Sequence, residues 1–371
     1  MTRRKFMQKM ATGLQIGLGS LLHQALPPAA EAADITKDKR ASHVSGLSLR
    51  EIAERRLHHG NDRFHNPFNN NSIAGRMGQV LAWKLFSRNR FRQFYDQEPR
   101  VRVSVDFDGI LADQGVSVTL LRHATLIIKD QKDILVIDPV YFGLFRFIKD
   151  FAPLDFDPAD IPAPRQVLIT HGHYDHLDIK SLSLLHKETP VITPLGYADT
   201  LDELNLARHR ELDWYQTVAD GGRQITLLPC NHWSMRNPLT GPNRSLWGSY
   251  LIRTAGGPTI YVSGDTGYFQ GFKEIGREFN IDLAIFNLGA YEPRWFMRPS
   301  HMNPEETVRA AEELGARRLM IAHWGTFRLG DEPVHFPPRD IRRAANERNL
   351  GHHLVEPNLG QTYFFNDNRV A

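Results

Sequence analysis

From Val101 onward the chain is a series of short apolar runs broken by charge, proline and glycine, and these runs set its expected elements. Val101–Phe107, Val116–Leu121, Thr125–Lys129 and Ile134–Asp138 are rich in β-branched residues and read as strands. Strands and helices then alternate. The pattern predicts strands over Val167–Thr170, Gln224–Leu228, Leu246–Arg253, Thr259–Ser263, Leu283–Leu288 and Arg318–Ala322. Helices are predicted near Ile179–His186, Phe269–Phe279 and Arg339–Asn349. A further helix, Pro304–Leu314, has the best-marked start. Asn303 serves as N-cap, Pro304 fills the first helical position, and Glu305 and Glu306 face the positive end of the dipole. Residues 101–371 are thus expected to form one domain. Ahead of it, residues 33–100 form a polar, basic and aromatic arm. There the turn-rich stretch from Arg63 to Asn71 leads into a helix around Arg76–Tyr95, which either packs its apolar stripe on the domain or rests on a membrane surface.

The polar positions that end these runs carry the chemistry. Directly after Val167-Leu168-Ile169 come Thr170-His171-Gly172-His173-Tyr174-Asp175-His176, three imidazoles and a carboxylate in close succession. His171 and His173 are two apart, so at a strand end they project to one side. Asp175 and His176 follow where the chain turns toward a helix, which lets them face a second ion beside the first. Neutral imidazole and carboxylate are ligands for Zn2+, and the lack of nearby thiolates speaks against a purely structural zinc site. Three more polar groups close apolar strands: His232 after Leu227–Asn231, Asp265 after Tyr261–Gly264, and His323 after Leu319–Ala322. Taken singly, each is an ordinary core histidine or turn aspartate. Taken together with the first cluster they supply four groups for each of two ions, with one carboxylate shared.

Composition narrows the picture without redirecting it. The 371 residues and 41% hydrophobic content suffice for a large core. The net charge of +3 is accounted for by Arg3, Arg4, Lys5 and Lys9 against Glu31. The remainder is formally near neutral, and no nucleic-acid-binding surface is indicated. The lone cysteine, Cys230, excludes an intrachain disulfide and reads as a small apolar filler. Residues 1–32 look like a twin-arginine export signal, with a weakly apolar stretch from Met10 to Leu26 and a small-residue site at Ala30-Glu31-Ala32. That predicts a periplasmic protein, possessing its metal before export and free to associate with a membrane surface.

The motif HxHxDH with a distant His, Asp and His resembles the metallo-β-lactamase fold superfamily. Within it, the chain is most similar to the N-acylphosphatidylethanolamine-hydrolysing phospholipase D family and its bacterial relatives. The likeness rests on HGHYDHLD (His171–Asp178), HWSMRNP and NRSLWGSY (within His232–Tyr250), GDTGY (Gly264–Tyr268), GAYEPRWFM with HMNPEE (within Gly289–Glu306), and HWGTF (His323–Phe327). The resemblance implies an α/β fold, the four-layer αββα sandwich, with metals at one rim. It also implies that His171, His173, His232 and Asp265 hold one zinc and that Asp175, His176, Asp265 and His323 hold the other, Asp265 bridging. Iron or manganese in place of zinc stays open. His301 matches a histidine placed beside the metals. One departure is visible: the family's Gly-His-Ala-Thr reads Arg122-His123-Ala124-Thr125 here, and Arg122, expected near the site mouth, bears on whether the family's substrate preference carries over.

Two divalent cations against Asp175 and Asp265 leave a positive centre suited to a monoanionic phosphodiester. The expected reaction is a phospholipase D-type cleavage of N-acyl-phosphatidylethanolamine or a similar phospholipid by a metal-bridging hydroxide, with Asp265, Asp175 and His301 as the catalytic groups. His301 either protonates the leaving alcohol or supports a ligand. Asp138, closing Leu135-Val136-Ile137, is expected to orient a ligand histidine, and His123 to share that work. Tyr291, Trp295, Phe296 and Trp324 are candidates for an apolar trough holding acyl chains. His58-His59, His335 and His352-His353 are expected at the surface. A lactonase or esterase on the same metals, and a non-catalytic metal- or lipid-binding protein, are the alternatives.

Overall fold

Strand pairing follows the apolar runs, and the alternation within each run sorts its side chains to two faces. β1 (Val116–Arg122), β2 (Thr125–Asp130) and β3 (Asp133–Ile137) pair antiparallel, and β4 (Gln166–Leu168), β5 (Val191–Pro194) and β6 (His209–Leu212) add in parallel. β7 (Thr217–Asp220), β8 (Arg223–Leu228), β9 (Ser249–Arg253) and β10 (Thr259–Val262) make the antiparallel half of a second sheet. β11 (Leu283–Asn287), β12 (Arg318–Ala322) and β13 (Leu354–Val355) complete it in parallel. β14 (Thr362–Phe364) and β15 (Arg369–Val370) return to the first sheet. The orders are β15-β14-β1-β2-β3-β4-β5-β6 and β13-β12-β11-β10-β9-β8-β7. This computed structural model describes Val44 and residues 46–69, 83, 89–237 and 239–371, and Gly46–Ala371 forms one compact unit.

Helices cover the outer faces. They are α1 (Leu49–Glu54), α2 (Phe107–Ala112), α3 (Ile179–Leu182), α4 (Ala198–Glu203), α5 (Gly271–Glu278), α6 (Arg294–Met297), α7 (Pro304–Leu314) and α8 (Phe336–Glu347). Ile127, Val136, Val167 and Ile169 of the first sheet pack under Leu182 and Leu201. Tyr261, Ala284, Phe286, Leu319 and Ile321 of the second pack under Phe272 and Ile275 of α5, Val308 and Leu314 of α7, and Ile341 of α8. The alternate residues, among them Ile128, Leu135, Leu168, Ile252, Ile260 and Ile285, are equally buried and face the opposite sheet. Each such side chain contributes about 1.5–3 kcal/mol by leaving water. Polar stitches join the two sheets: Tyr250 Oη donates to Ile169 O at 2.8 Å, and buried Arg223 pairs with buried Asp130 at 2.7 Å. The result is the four-layer αββα sandwich.

Several expectations need correcting. Val101–Phe107 is not a strand. Val103 makes only an isolated bridge to Leu154, and Phe107 opens α2 because the Asp106 carboxylate accepts Gly109 N–H. The helix expected to reach His186 stops at Leu182, and β9 begins at Ser249 rather than Leu246. The last helix runs Phe336–Glu347, not Arg339–Asn349. β5, β6, β7, α4 and the C-terminal strands had no counterpart in the sequence reading. His58 is fully buried, stacked on Trp214, with Nε2 at 2.6 Å from Asp213 Oδ1, so it is no surface residue. α7 matches its expected bounds, with an Asn303–Glu306 capping box and Gly315 left-handed at the C-cap. The expected export signal over residues 1–32, and residues 76–82 and 84–88 of the helix expected around Arg76–Tyr95, lie outside the described residues. Among the described residues no helix is long and apolar enough to cross a membrane.

Candidate metal centre

Five strands end at one rim, and each end delivers a polar group. Asp138 follows β3, His171 follows β4, His232 follows β8, Asp265 follows β10 and His323 follows β12. Tight backbone makes the convergence possible. Gly264 turns with φ +56°, and a Cβ there would lie 2.9 Å from Thr170 Cβ. A Cβ on Gly289 would lie 2.3 Å from His323 O, so only glycine lets β11 pass so close to that histidine.

The donor atoms fall into two groups. In the first, His171 Nε2 is 2.8 Å and His232 Nε2 3.3 Å from His173 Nδ1, and both lie 3.8 Å from Asp265 Oδ2. In the second, Asp175 Oδ2 lies 3.0 Å from His123 Nε2, 3.2 Å from His323 Nε2 and 3.6 Å from His176 Nε2. Asp265 reaches both: its Oδ2 is 3.2 Å from His176 Nε2 and its Oδ1 3.5 Å from His323 Nε2. His123 thus stands as near to Asp175 as His323 does. The sequence placed it one step further out.

Outer hydrogen bonds fix which nitrogen faces inward. Asp138 Oδ2 accepts His176 Nδ1–H at 2.7 Å and the Thr170 hydroxyl at 2.7 Å. That hydroxyl in turn accepts from His171 Nδ1 at 3.0 Å. Ser300 O accepts His232 Nδ1–H at 3.0 Å, and Asn287 Nδ2 donates to Asp265 Oδ1 at 2.9 Å. Nε2 of His171, His176 and His232 is thereby aimed at the centre, where the neutral form of each ring offers a lone pair.

Burial, the largest influence, lowers the proton affinity of nearly every imidazole here. His171 and His232 fall well below the ordinary histidine value, His173 and His301 to about 4, and His123 to about 3. These rings are neutral at pH 7, the form that binds metal. Burial opposes a proton on His176 too, but Asp265, Asp175 and Asp138 outweigh it and hold this ring well above its ordinary value. Burial would raise Asp175 and Asp265, yet the surrounding histidines, His176 foremost, keep both well below the usual carboxylate range. Among the described residues, every ion-pair partner of these two carboxylates is a histidine.

The arrangement fits divalent metal. His173 Nδ1 carries at most one proton and faces two inward lone pairs, while His173 Nε2 and His323 Nδ1 are buried without hydrogen-bond partners among the described residues. Too few protons are available for so many donors, and the carboxylates of Asp175 and Asp265 face only histidines, of which His176 alone is held well above its ordinary value. Cations between the donors resolve both deficits.

Of the other expected site residues, His301 adjoins the centre and the aromatics are scattered. His301 Nδ1 is 3.9 Å from Asp265 Oδ2, and its ring lies 5.4 Å from that of His232. The four aromatics proposed for an acyl trough do not share a wall. Tyr291 is in the core beneath α8, its hydroxyl donating to Asp340, and Trp324 packs against the same core. Phe296 packs beside Trp83, whereas Trp295 is half exposed. Cys230 is buried, its thiol directed at Asp265 O, as suits a filler. Arg122 does not line the mouth. It is buried, and its guanidinium points to Tyr141 O and Asp150.

Residues 134–324 match the profile of a family described as "Beta-lactamase superfamily domain". N-acyl-phosphatidylethanolamine-hydrolyzing phospholipase D 1 of Caenorhabditis elegans is 30% identical over 302 residues, spanning 75% of this chain and 84% of the relative. The mitochondrial N-acyl-phosphatidylethanolamine-hydrolyzing phospholipase D of Saccharomyces cerevisiae is 33% identical over 216 residues, 56% of this chain but only 46% of that relative. Among solved structures, an isothiocyanate hydrolase from Delia radicum gut bacteria superposes with a TM-score of 0.56 at 19% identity, covering 67% of this chain and 98% of that one, a likeness of fold. Fold, donor set and relatives agree: this chain is a metal-dependent hydrolase of the metallo-β-lactamase superfamily, related to the N-acyl-phosphatidylethanolamine-hydrolysing phospholipases D.

Proposed function

We propose that the chain is a dinuclear zinc phosphodiesterase of phospholipase D type. It cleaves the phosphate–alcohol ester distal to the glycerol of an N-acylated phosphatidylethanolamine or similar phospholipid, releasing phosphatidic acid and the headgroup alcohol. The observation that carries this reading is the shared position of Asp265, whose two oxygens face both donor groups. His171, His173, His232 and Asp265 would hold one ion, and Asp175, His176, His323 and Asp265 the other. Bound there, zinc supplies a water ionised near neutral pH and electrophilic assistance to the phosphate.

The chain's own groups prepare the rest. Asp138, Thr170 and Ser300 lock imidazole tautomers, so no ring reorganises as the substrate arrives. His301 Nδ1, 3.9 Å from Asp265 Oδ2, stands where it hydrogen-bonds a phosphate oxygen or passes a proton to the leaving oxygen. The twin-arginine-like start of the sequence supports action after export.

Mass spectrometry of products from a phospholipid panel, run on metal-loaded protein, tests the reading. Phosphatidic acid plus free headgroup is expected, and Asp265→Asn should abolish it. Carboxylate release with intact diester would assign the metals to a lactonase or esterase instead. Turnover retained by metal-depleted Asp265→Asn protein would overturn the mechanism.

A further inference from the structure

Beside the metal centre, residues 141–150 form a loop whose composition runs against its exposure. Phe145 is 42% and Phe147 84% exposed, their rings stacked 5.4 Å apart, and Phe145 meets Tyr174, itself 40% exposed, at 5.2 Å. Tyr174 sits between His173 and Asp175, so this aromatic patch adjoins the donor cluster. Water is a poor solvent for such a cluster, and exposed contiguous apolar surface marks an interaction site.

The cations around it say what the patch meets. Arg146 and Lys149 lie within the loop, Lys180 Nζ sits 3.6 Å over the Phe142 ring, and the Arg236 guanidinium 4.4 Å over that of Tyr174. The nearby acids are already engaged: Asp150 pairs with Arg122 at 2.9 Å, and Asp178 caps α3. Rings that seek a hydrocarbon boundary, ringed by cations that have no ion-pair partner among the described residues, complement anionic headgroups over acyl chains.

The loop is also built to stay displayed. Arg122, 1% exposed, donates from Nη1 to Tyr141 O at 3.1 Å and from Nη2 to Asp150 Oδ2 at 2.9 Å, so one buried guanidinium clamps both ends. Phe151 N–H donates to Thr326 O just beyond. The Arg122 guanidinium therefore serves the loop and not the site mouth.

We propose that the Tyr141–Asp150 loop, with Tyr174 and Arg236, is a docking surface for an anionic lipid bilayer, with Phe145 and Phe147 as the inserted groups. This goes beyond the diesterase reading and is tested without turnover. The full chain is sedimented with vesicles of phosphatidylcholine alone and of phosphatidylcholine with about one third phosphatidylglycerol. Binding to the anionic vesicles is expected to exceed binding to the neutral ones by roughly tenfold or more, since each surface cation is worth about fivefold, and to weaken as salt rises. Phe145→Ser with Phe147→Ser should lower partitioning at least about tenfold. Arg146→Glu with Lys149→Glu should lower it at 0.1 M salt but much less at 1 M. Thermal unfolding of both variants should match that of the parent, since none of the four side chains is buried. The proposal is overturned if the parent does not sediment with anionic vesicles, as an acidic protein partner in place of lipid would have it, or if the Phe145/Phe147 variant sediments like the parent. A parent that sediments yet cleaves no diester would remove the proposed function and leave the docking surface standing.

Discussion

Asp138→Asn is a one-atom change that separates a metal-orienting carboxylate from a merely structural one. All three hydrogen bonds to the Asp138 carboxylate are accepted ones: Thr170 N–H to Oδ1, and the Thr170 hydroxyl and His176 Nδ1–H to Oδ2, each at 2.7 Å. An asparagine keeps its oxygen for the Thr170 amide and turns an NH2 toward the other two donors. His176 must then accept at Nδ1 and carry its proton on Nε2, 3.2 Å from Asp265 Oδ2. That removes the lone pair offered to the second ion, while the hydroxyl link from Thr170 to His171 is disturbed as well. Loss of such an outer partner costs 10–100-fold in metal affinity, about 1.4–2.7 kcal/mol. The assay is competitive titration with a chelator, with metal content measured after dialysis. We expect the parent to retain two ions per chain and the variant to retain one firmly, with the second weakened by that factor. Two ions held at parental affinity would refute the tautomer argument.

Three further outcomes follow from the same geometry. Asp130→Ala leaves the Arg223 guanidinium buried without its main counter-ion between the sheets, and urea unfolding should show a loss of about 3–5 kcal/mol; a loss under about 1 kcal/mol would mean the pair does not join them. Burial, only partly offset by Asp213, lowers the proton affinity of His58, so below about pH 6.5 the unfolded chain binds a proton that the native chain refuses. Stability is therefore fully present above that pH and declines below it. His58→Gln, which still donates to Asp213, should flatten that decline in urea melts at pH 5 and pH 8, and an unaltered slope would contradict the assignment. His301→Ala should lower kcat by about 10²–10⁴ with metal content intact; loss of metal instead would make His301 a supporting group.

The site was more legible in the sequence than the fold around it, for a physical reason. A ligand at a strand end announces itself as a polar residue closing an apolar run, as His171, His232, Asp265 and His323 all do. The approach of His123 to within 3.0 Å of Asp175 depends on a register shift between Leu120 and Arg122 and on a positive φ of 48°, neither written in local pattern. His58 misled in the same way: its flanking residues are polar, but tertiary stacking on Trp214 buries it. Short edge elements such as β6 and β7 bury only one residue in four, too little alternation to read. The acyl trough failed because aromatic content alone does not distinguish a core ring such as Tyr291 from an exposed one such as Trp295.

Anomalous diffraction at the zinc edge, from crystals of protein purified with its metal, tests the central claim most directly. Two peaks are predicted, one among His171, His173 and His232, the other among Asp175, His176 and His323, with Asp265 touching both. No peak at this rim, or a single peak that leaves either set of histidines without metal, would contradict it.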